Sequence, residues 1–186
     1  MVMLATNLVI TGQASKLRLQ AIMARKREHD TRTFYALTRA LTAMRDYRSM
    51  AETAANHIEE AFKTHVTIWV PDGELVSVAG QLPSFDDVKE RSALQWCFDH
   101  AERTGRDTTT MPSAIGLYFP LVTGNGTRGV MGITPQDATH EFSADEIAGL
   151  ETVANLLASA FERVASADTA QEAKIEAERE KLRNVL

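Results

Sequence analysis

Apolar positions recur along this chain with two periods, and the changes of period mark the elements. Phe34, Leu37, Leu41 and Met44 are spaced by threes and fours, one stripe of a helix predicted over 14–44. A second helix is predicted over 49–63. Ser49 with Glu52 reads as a capping box, and Met50, Ala54, His57, Ile58, Ala61 and Phe62 supply its buried side. At 65–70 the period drops to two: Val66, Ile68 and Val70 fall on one face, Thr67 and Trp69 on the other. Pro71-Asp72-Gly73-Glu74 turns the chain and 75–79 returns, a first hairpin. A third helix is predicted over 86–104, with Leu94, Cys97, Phe98 and Ala101 as its buried stripe and Gly105 as a left-handed C-cap. Trp96 lies off that stripe. A polar loop, 106–113, follows.

The clearest hairpin is 115–135. Asn125-Gly126 is a type I′ turn signal, because both central residues of that turn need positive φ. That turn sets a register in which Leu121 faces Val130, Phe119 faces Gly132, Tyr118 faces Ile133 and Pro120 faces Met131. Apolar side chains then lie on both faces of the pair. One face calls for helices, the other for a dimer partner, more chain or a small-molecule pocket. Pro120 cannot donate to the ladder, which marks an edge or a bulge.

The last helix opens on a capping box, Ser143 with Glu146, and a hydrophobic staple, Phe142 on Ile147. Its stripe runs Ile147, Leu150, Ala154, Leu157, Phe161, Val164. It then continues in heptad phase through Asp168, Gln171, Ile175, Glu178, Leu182 and Val185. Polar members in that seam predict a parallel coiled coil of marginal stability, suited to a signalling connector. The bland counterpart is a solvated terminal helix.

The order of elements predicts an α+β fold with an antiparallel sheet of about four to six strands. This is the architecture of GAF and PAS sensor domains. The second and final helices pack together on one face, and the third helix with its loop covers the other. The N- and C-terminal helices extend into signalling helices.

Composition narrows the function classes. The chain has 186 residues, a formal net charge of -5 and a pI near 5.6, against a basic nucleic-acid binder. One cysteine, Cys97, excludes an internal disulfide framework and a cysteine-rich zinc site. The apolar run 1–10 is too short to span a bilayer, which takes about 20 residues. Lys16, Arg18, Arg25, Lys26, Arg27 and Arg32 follow it. That order is a solvated helix face or the cytoplasmic end of a membrane helix, with 1–12 as its stump.

Candidate chemistry is sparse. His29-Asp30-Thr31-Arg32-Thr33 imitates a phospho-accepting histidine box, but Phe34 stands where proline belongs, and no ATP-binding segment follows. His57, His65, His100 and His140 have no neighbour at metal-ligand spacing, so no metal site is expected. Cys97 sits on an apolar stripe without a resolving partner, which favours an inert thiol over a nucleophile of the GAF-type sulfoxide reductases. Gly124-Asn125-Gly126 has turn chemistry and lacks a phosphate-loop ending. No catalytic residue is expected. For a small-molecule pocket the candidates are Trp96, Asp99, Arg106 and Tyr118, an aromatic lid with one acid and one base.

A resemblance sharpens this reading. Ala93-Leu94-Gln95-Trp96-Cys97-Phe98-Asp99, then Gly105, then Thr108-x-Thr110-Met111-Pro112, resembles the GAF-like segment of KdpD-type sensor histidine kinases. In that family an A-x-Q-W-x-F-D helix precedes a G-x-x-T-D-T-L-P loop. Residues 118–135 are similar to its L-P-L…G-x-x-x-P hairpin, and 34–41 to its L-Y-x-L-S-x-x-L helix. Residues 177–186 resemble the run before the phospho-accepting histidine. The resemblance implies an internal piece of a larger membrane-anchored protein. It divides into an entering stump and signalling helix (1–45), a GAF-like domain (46–165) and an exit helix (166–186) leading to the kinase. ATP and magnesium would belong to the parent's kinase domain, and this piece would carry no cofactor. The parent would pass phosphate to a response regulator controlling potassium uptake, the regulator contacting the kinase rather than this piece. The piece would pair as a homodimer through its entering and exit helices, on the cytoplasmic side of the cell membrane, with no nucleic-acid partner. The alternative is a ligand-binding GAF sensor of another signalling protein.

Overall fold

The computed structural model describes residues 36–80 and 87–183. The proposed membrane stump, the basic segment, His29 and the last three residues lie outside them. The chain divides into two compact units, Met1–Arg39 and Ala40–Leu186. Residues 36–43 are helical (α1), and 44–46 are not. The second unit continues with α2 (Tyr47–Phe62), β1 (Thr64–Asp72), β2 (Glu74–Ala79), α3 (Val88–His100), β3 (Thr104–Gly105), β4 (Leu117–Thr123), β5 (Gly126–Pro135) and α4 (Ala144–Arg183).

The class is α+β, with one five-stranded sheet in the order β2-β1-β5-β4-β3 and every pairing antiparallel. Both hairpins lie where the sequence puts them. Their side chains alternate as a pleated sheet requires. Trp69, Tyr118 and Val130 face α3, where they cluster with Ala93, Leu94, Cys97 and Ala114. Their neighbours Ile68, Leu117, Phe119 and Met131 are equally buried and belong to the opposite face. There α2 and α4 pack on the sheet and on each other. The buried apolar residues of both faces are thus covered within the chain, whereas Val76 and Val122 on the sheet stay exposed.

Three local expectations are corrected. Asp46, not Ser49, caps α2: its carboxylate accepts from the Ser49 amide and hydroxyl, both at 2.8 Å. An ionised carboxylate one turn upstream is the stronger acceptor, so the helix starts earlier and Ser49 becomes a donor. α3 ends at His100 on Ala101, which takes the left-handed C-cap position itself (φ 55). Gly105 therefore sits in β3, opposite Leu117.

The third correction is the register of the second hairpin. Thr123 pairs with Gly126, which puts Gly124 and Asn125 at the turn and leaves only Gly126 of the three at positive φ (107). A bulge between Pro120 and Val122 then absorbs one residue, where the proline suggested an irregularity. Beyond it Tyr118 faces Gly132, Phe119 faces Met131 and Pro120 faces Val130. A Cβ on Gly132 would lie 2.9 Å from Tyr118 Cε1 and 3.0 Å from Thr67 Cγ2, so the missing side chain makes room for the tyrosine ring rather than for Phe119.

α4 begins as expected. The Glu146 amide donates to Ser143 Oγ (3.3 Å) and Glu146 Oε2 accepts from the Ser143 amide (2.9 Å), a reciprocal capping box. Leu150, Leu157, Phe161 and Val164 are buried, whereas every residue of 166–180 is exposed. From Val164 to Arg183 the helix extends roughly 30 Å past the core. No helix among the described residues is long and apolar enough to cross a membrane.

Candidate functional site

Two of the four candidate residues, Trp96 and Asp99, lie on α3, the helix that covers the second face of the sheet. Asp87 caps α3 by accepting from the Lys89 amide at 2.9 Å. The helix then turns Ala93, Leu94 and Cys97 onto Trp69, Tyr118 and Val130, with Leu75, Phe98 and Met111 packed around them. On the opposite side of α3 an open groove of about 480 Å³ is lined by Val88, Arg91, Gln95, Trp96, Asp99 and Met111.

Trp96 and Asp99 therefore share a site, on the outer face of α3 rather than beneath it. Each has a partner on its own helix. The Trp96 ring stacks on His100 with centroids 4.0 Å apart and planes 9° from parallel. Asp99 Oδ1 accepts from Gln95 Nε2 at 2.9 Å. Trp96 thus avoids the buried stripe by lying flat along the helix surface.

Arg106 and Tyr118 are elsewhere. Arg106 Nη2 donates to the carbonyls of Ala138 and His140, both at 2.9 Å, tying its loop to the connection before α4. Tyr118 is fully buried, and its hydroxyl donates to Glu90 Oε2 at 2.7 Å. Burial, then the Glu90 carboxylate, push its phenol well above the usual value. The aromatic, acid and base grouped from the sequence thus divide among three environments. The directions of Arg106 and Tyr118 are set by partners 28 to 34 residues away, which local spacing does not encode.

Glu90 is the residue that the sequence reading missed. It is 2% exposed on the buried side of α3. Its carboxylate accepts from the amides of Ile115 (2.7 Å) and Gly116 (3.1 Å) as well as from Tyr118. The signal was an acid at i−4 and i−7 from Leu94 and Cys97, on the helix's apolar stripe.

Cys97 is also fully buried. Burial pushes its thiol up to about 12, against a weaker opposing hydrogen bond with Thr104, so it stays protonated at neutral pH. No group of three or more His, Cys, Asp or Glu able to hold a metal ion occurs among the described residues.

A second polar cluster lies where α4 leaves the core. Glu162 accepts from Arg128 Nε, from Asn125 Nδ2 and from Thr123 Oγ1, fastening the tip of the β4–β5 hairpin to the helix. The neighbouring residues hold the incoming chain. Phe161 meets the Tyr47 ring edge-on at 5.1 Å, and Arg163 Nη2 donates to the Leu41 carbonyl at 2.8 Å. The Arg128 and Asn125 hydrogen bonds hold the Glu162 carboxyl down to about 2, below its ordinary 4.5. A depressed folded-state value means that this anchor is complete above pH 4.5 and is lost as pH falls towards 2. Urea midpoints of wild type and Glu162→Gln, measured across that range, should converge at the acid end. A gap that stays constant would show that the carboxylate does not anchor the hairpin.

Comparison with known proteins places this arrangement. The GAF domain family matches residues 46–163. The chain is 31% identical, over 190 aligned positions and its full length, to sensor protein KdpD of Escherichia coli. It is 23% identical over its full length to sensor protein KdpD of Clostridium acetobutylicum. It spans about a fifth of the length of these curated relatives, 21% of each. Among solved structures, the GAF domain of the E. coli potassium sensor histidine kinase KdpD superposes with a TM-score of 0.65 at 24% identity. That match covers 75% of this chain and 97% of that one.

Proposed function

This chain belongs to the GAF domain family, and from that premise we propose that it is the non-catalytic input and relay module of a membrane-bound sensor histidine kinase of the KdpD kind. The parent would act in a two-component system controlling potassium uptake. The parent's kinase domain would use ATP and magnesium and pass phosphate to a response regulator. This module would bias the kinase mechanically. The observation that carries the reading is the extent of the likeness to E. coli KdpD. The GAF match alone ends at residue 163, whereas the alignment with E. coli KdpD, 31% identical overall, extends through both flanking segments, where a relay enters and leaves.

The geometry supports a mechanical role. Phe161, Glu162 and Arg163 gather the end of α1, the start of α2 and the β4–β5 tip onto α4, just before the helix leaves the core. A change in the sheet or the entering chain then reaches α4 through direct contacts. Two copies would pair along the exposed seam of Asp168, Gln171 and Ile175, and a shift of that seam would carry the signal. Coupling of about 1–3 kcal/mol is typical of such devices, which suits a leaky seam. Sedimentation equilibrium should find a concentration-dependent dimer that Ile175→Lys weakens. A chain monomeric at every concentration would overturn the relay.

The groove that Trp96 and Asp99 line favours a second reading, a ligand-binding sensor. A small molecule retained by the purified chain in native mass spectrometry would carry it. The packed interior between α3 and the sheet weighs against a ligand beneath the helix.

A further inference from the structure

We propose that Glu90 is a ligand the chain supplies to itself, filling an oxyanion site made by the Ile115 and Gly116 amides and the Tyr118 hydroxyl. Its withdrawal would leave these donors as a site for a small anion bearing carboxylate or phosphate oxygens. This inference goes beyond the relay reading and stands without it.

The site is built for an anionic oxygen. Two adjacent backbone N–H groups and a phenol converge on one carboxylate at 2.7, 3.1 and 2.7 Å. Two backbone N–H dipoles aimed at one carboxylate favour negative charge there. A carboxylate is acceptor-only, so it matches three donors where an amide or hydroxyl would not. The approach is also shaped. A Cβ on Gly116 would lie 3.0 Å from the Tyr118 ring and hydroxyl, so the missing side chain lets this backbone approach the carboxylate beside the phenol without displacing the ring.

Packing alone does not explain the acid. Glu90 is 2% exposed on a face that otherwise presents Ala93, Leu94 and Cys97. Burying a carboxylate there is costly unless its bonds are made, and these three donors are all neutral. An apolar side chain would fill the volume without that cost, but it would leave the two amides and the phenol unpaired.

The loop beside this site is bonded within itself. The Gly105 amide donates to the Thr110 carbonyl at 2.9 Å, and Thr108 Oγ1 bonds to the Gly105 and Thr110 carbonyls at 2.7 and 2.8 Å. These bonds close within the loop and do not depend on Glu90, and Arg106 separately ties the loop to the Ala138 and His140 carbonyls. Glu90 fastens the stem at 115–116, and half-buried Met111 rests on the cluster below. Glu90 is thus the polar latch between α3 and this loop.

The test uses the full chain labelled with nitrogen-15. Acetate and inorganic phosphate are titrated separately into wild type and Glu90→Ala, and the Ile115 and Gly116 amide resonances are followed. The expected result is a saturable shift in Glu90→Ala and none in wild type at the same concentrations. Saturation by acetate alone assigns a carboxylate site, and saturation by phosphate as well assigns a general oxyanion site. No saturable shift in folded Glu90→Ala, or equal shifts in wild type, would overturn the proposal. If Glu90→Ala does not fold, Tyr118→Phe removes one donor instead. Deuterium exchange at Ile115 and Gly116 should then rise roughly tenfold, about the worth of one hydrogen bond, while the β1–β5 pairing stays protected. Unchanged exchange at those two amides would overturn it equally.

Discussion

Phe161→Ala should destabilise the domain by roughly 3–5 kcal/mol, the usual cost of removing a fully buried aromatic ring. Phe161 has no exposed surface and sits where α4 meets the Tyr47 ring edge-on at 5.1 Å. The loss would combine transfer energy, a cavity and the ring pair, which alone contributes about 0.5–1.5 kcal/mol. Native domains hold only about 5–15 kcal/mol in total, so the variant should approach the edge of folding. Val88→Ala on α3 is the control. Its side chain is 67% exposed, and the change should stay within about 0.5 kcal/mol. Urea unfolding followed by far-UV circular dichroism separates the two. A loss below about 1 kcal/mol for Phe161→Ala would mean that this junction is not part of the core.

The second large effect is expected at Gly105. Its φ of +96 lies where side chains are strained, and an added Cβ would fall inside van der Waals contact with the Gly116 carbonyl oxygen. That carbonyl accepts from the Arg106 amide at 2.9 Å, so it cannot retreat without loosening the loop stem. Left-handed strain of about 1–3 kcal/mol would be joined by the steric term. Gly73→Ala isolates the strain. Gly73 has φ +75 but nothing within 4 Å of a new Cβ, so only about 1–2 kcal/mol is expected there. Chemical unfolding of both variants measures the difference. Equal losses would remove close approach of the backbone as the reason for glycine at 105.

What the sequence made legible follows from how local each signal is. The β1–β2 hairpin, the position of the second hairpin and the α4 capping box are written in adjacent residues and appear in the structure. The register of β4 on β5 did not follow. It depends on which residue pair forms the turn and on a bulge at Pro120, and each slip by one residue changes every partner. β3 is only two residues long, too short to carry a period, so it was absorbed into the preceding helix. The site was legible only in part. Trp96 stood out because it departs from its helix stripe. Glu90 did not, because its three donors come from a loop and strand 25 to 28 residues away.

The relay proposed for this chain in a KdpD-type kinase is tested by exchanging the segment. In full-length E. coli sensor KdpD, the stretch aligned with this chain is replaced by it, and autophosphorylation from ATP is followed in membrane vesicles as potassium is varied. The account predicts phosphorylation that still responds to potassium. A hybrid that inserts and phosphorylates, but at a rate indifferent to potassium, would contradict it.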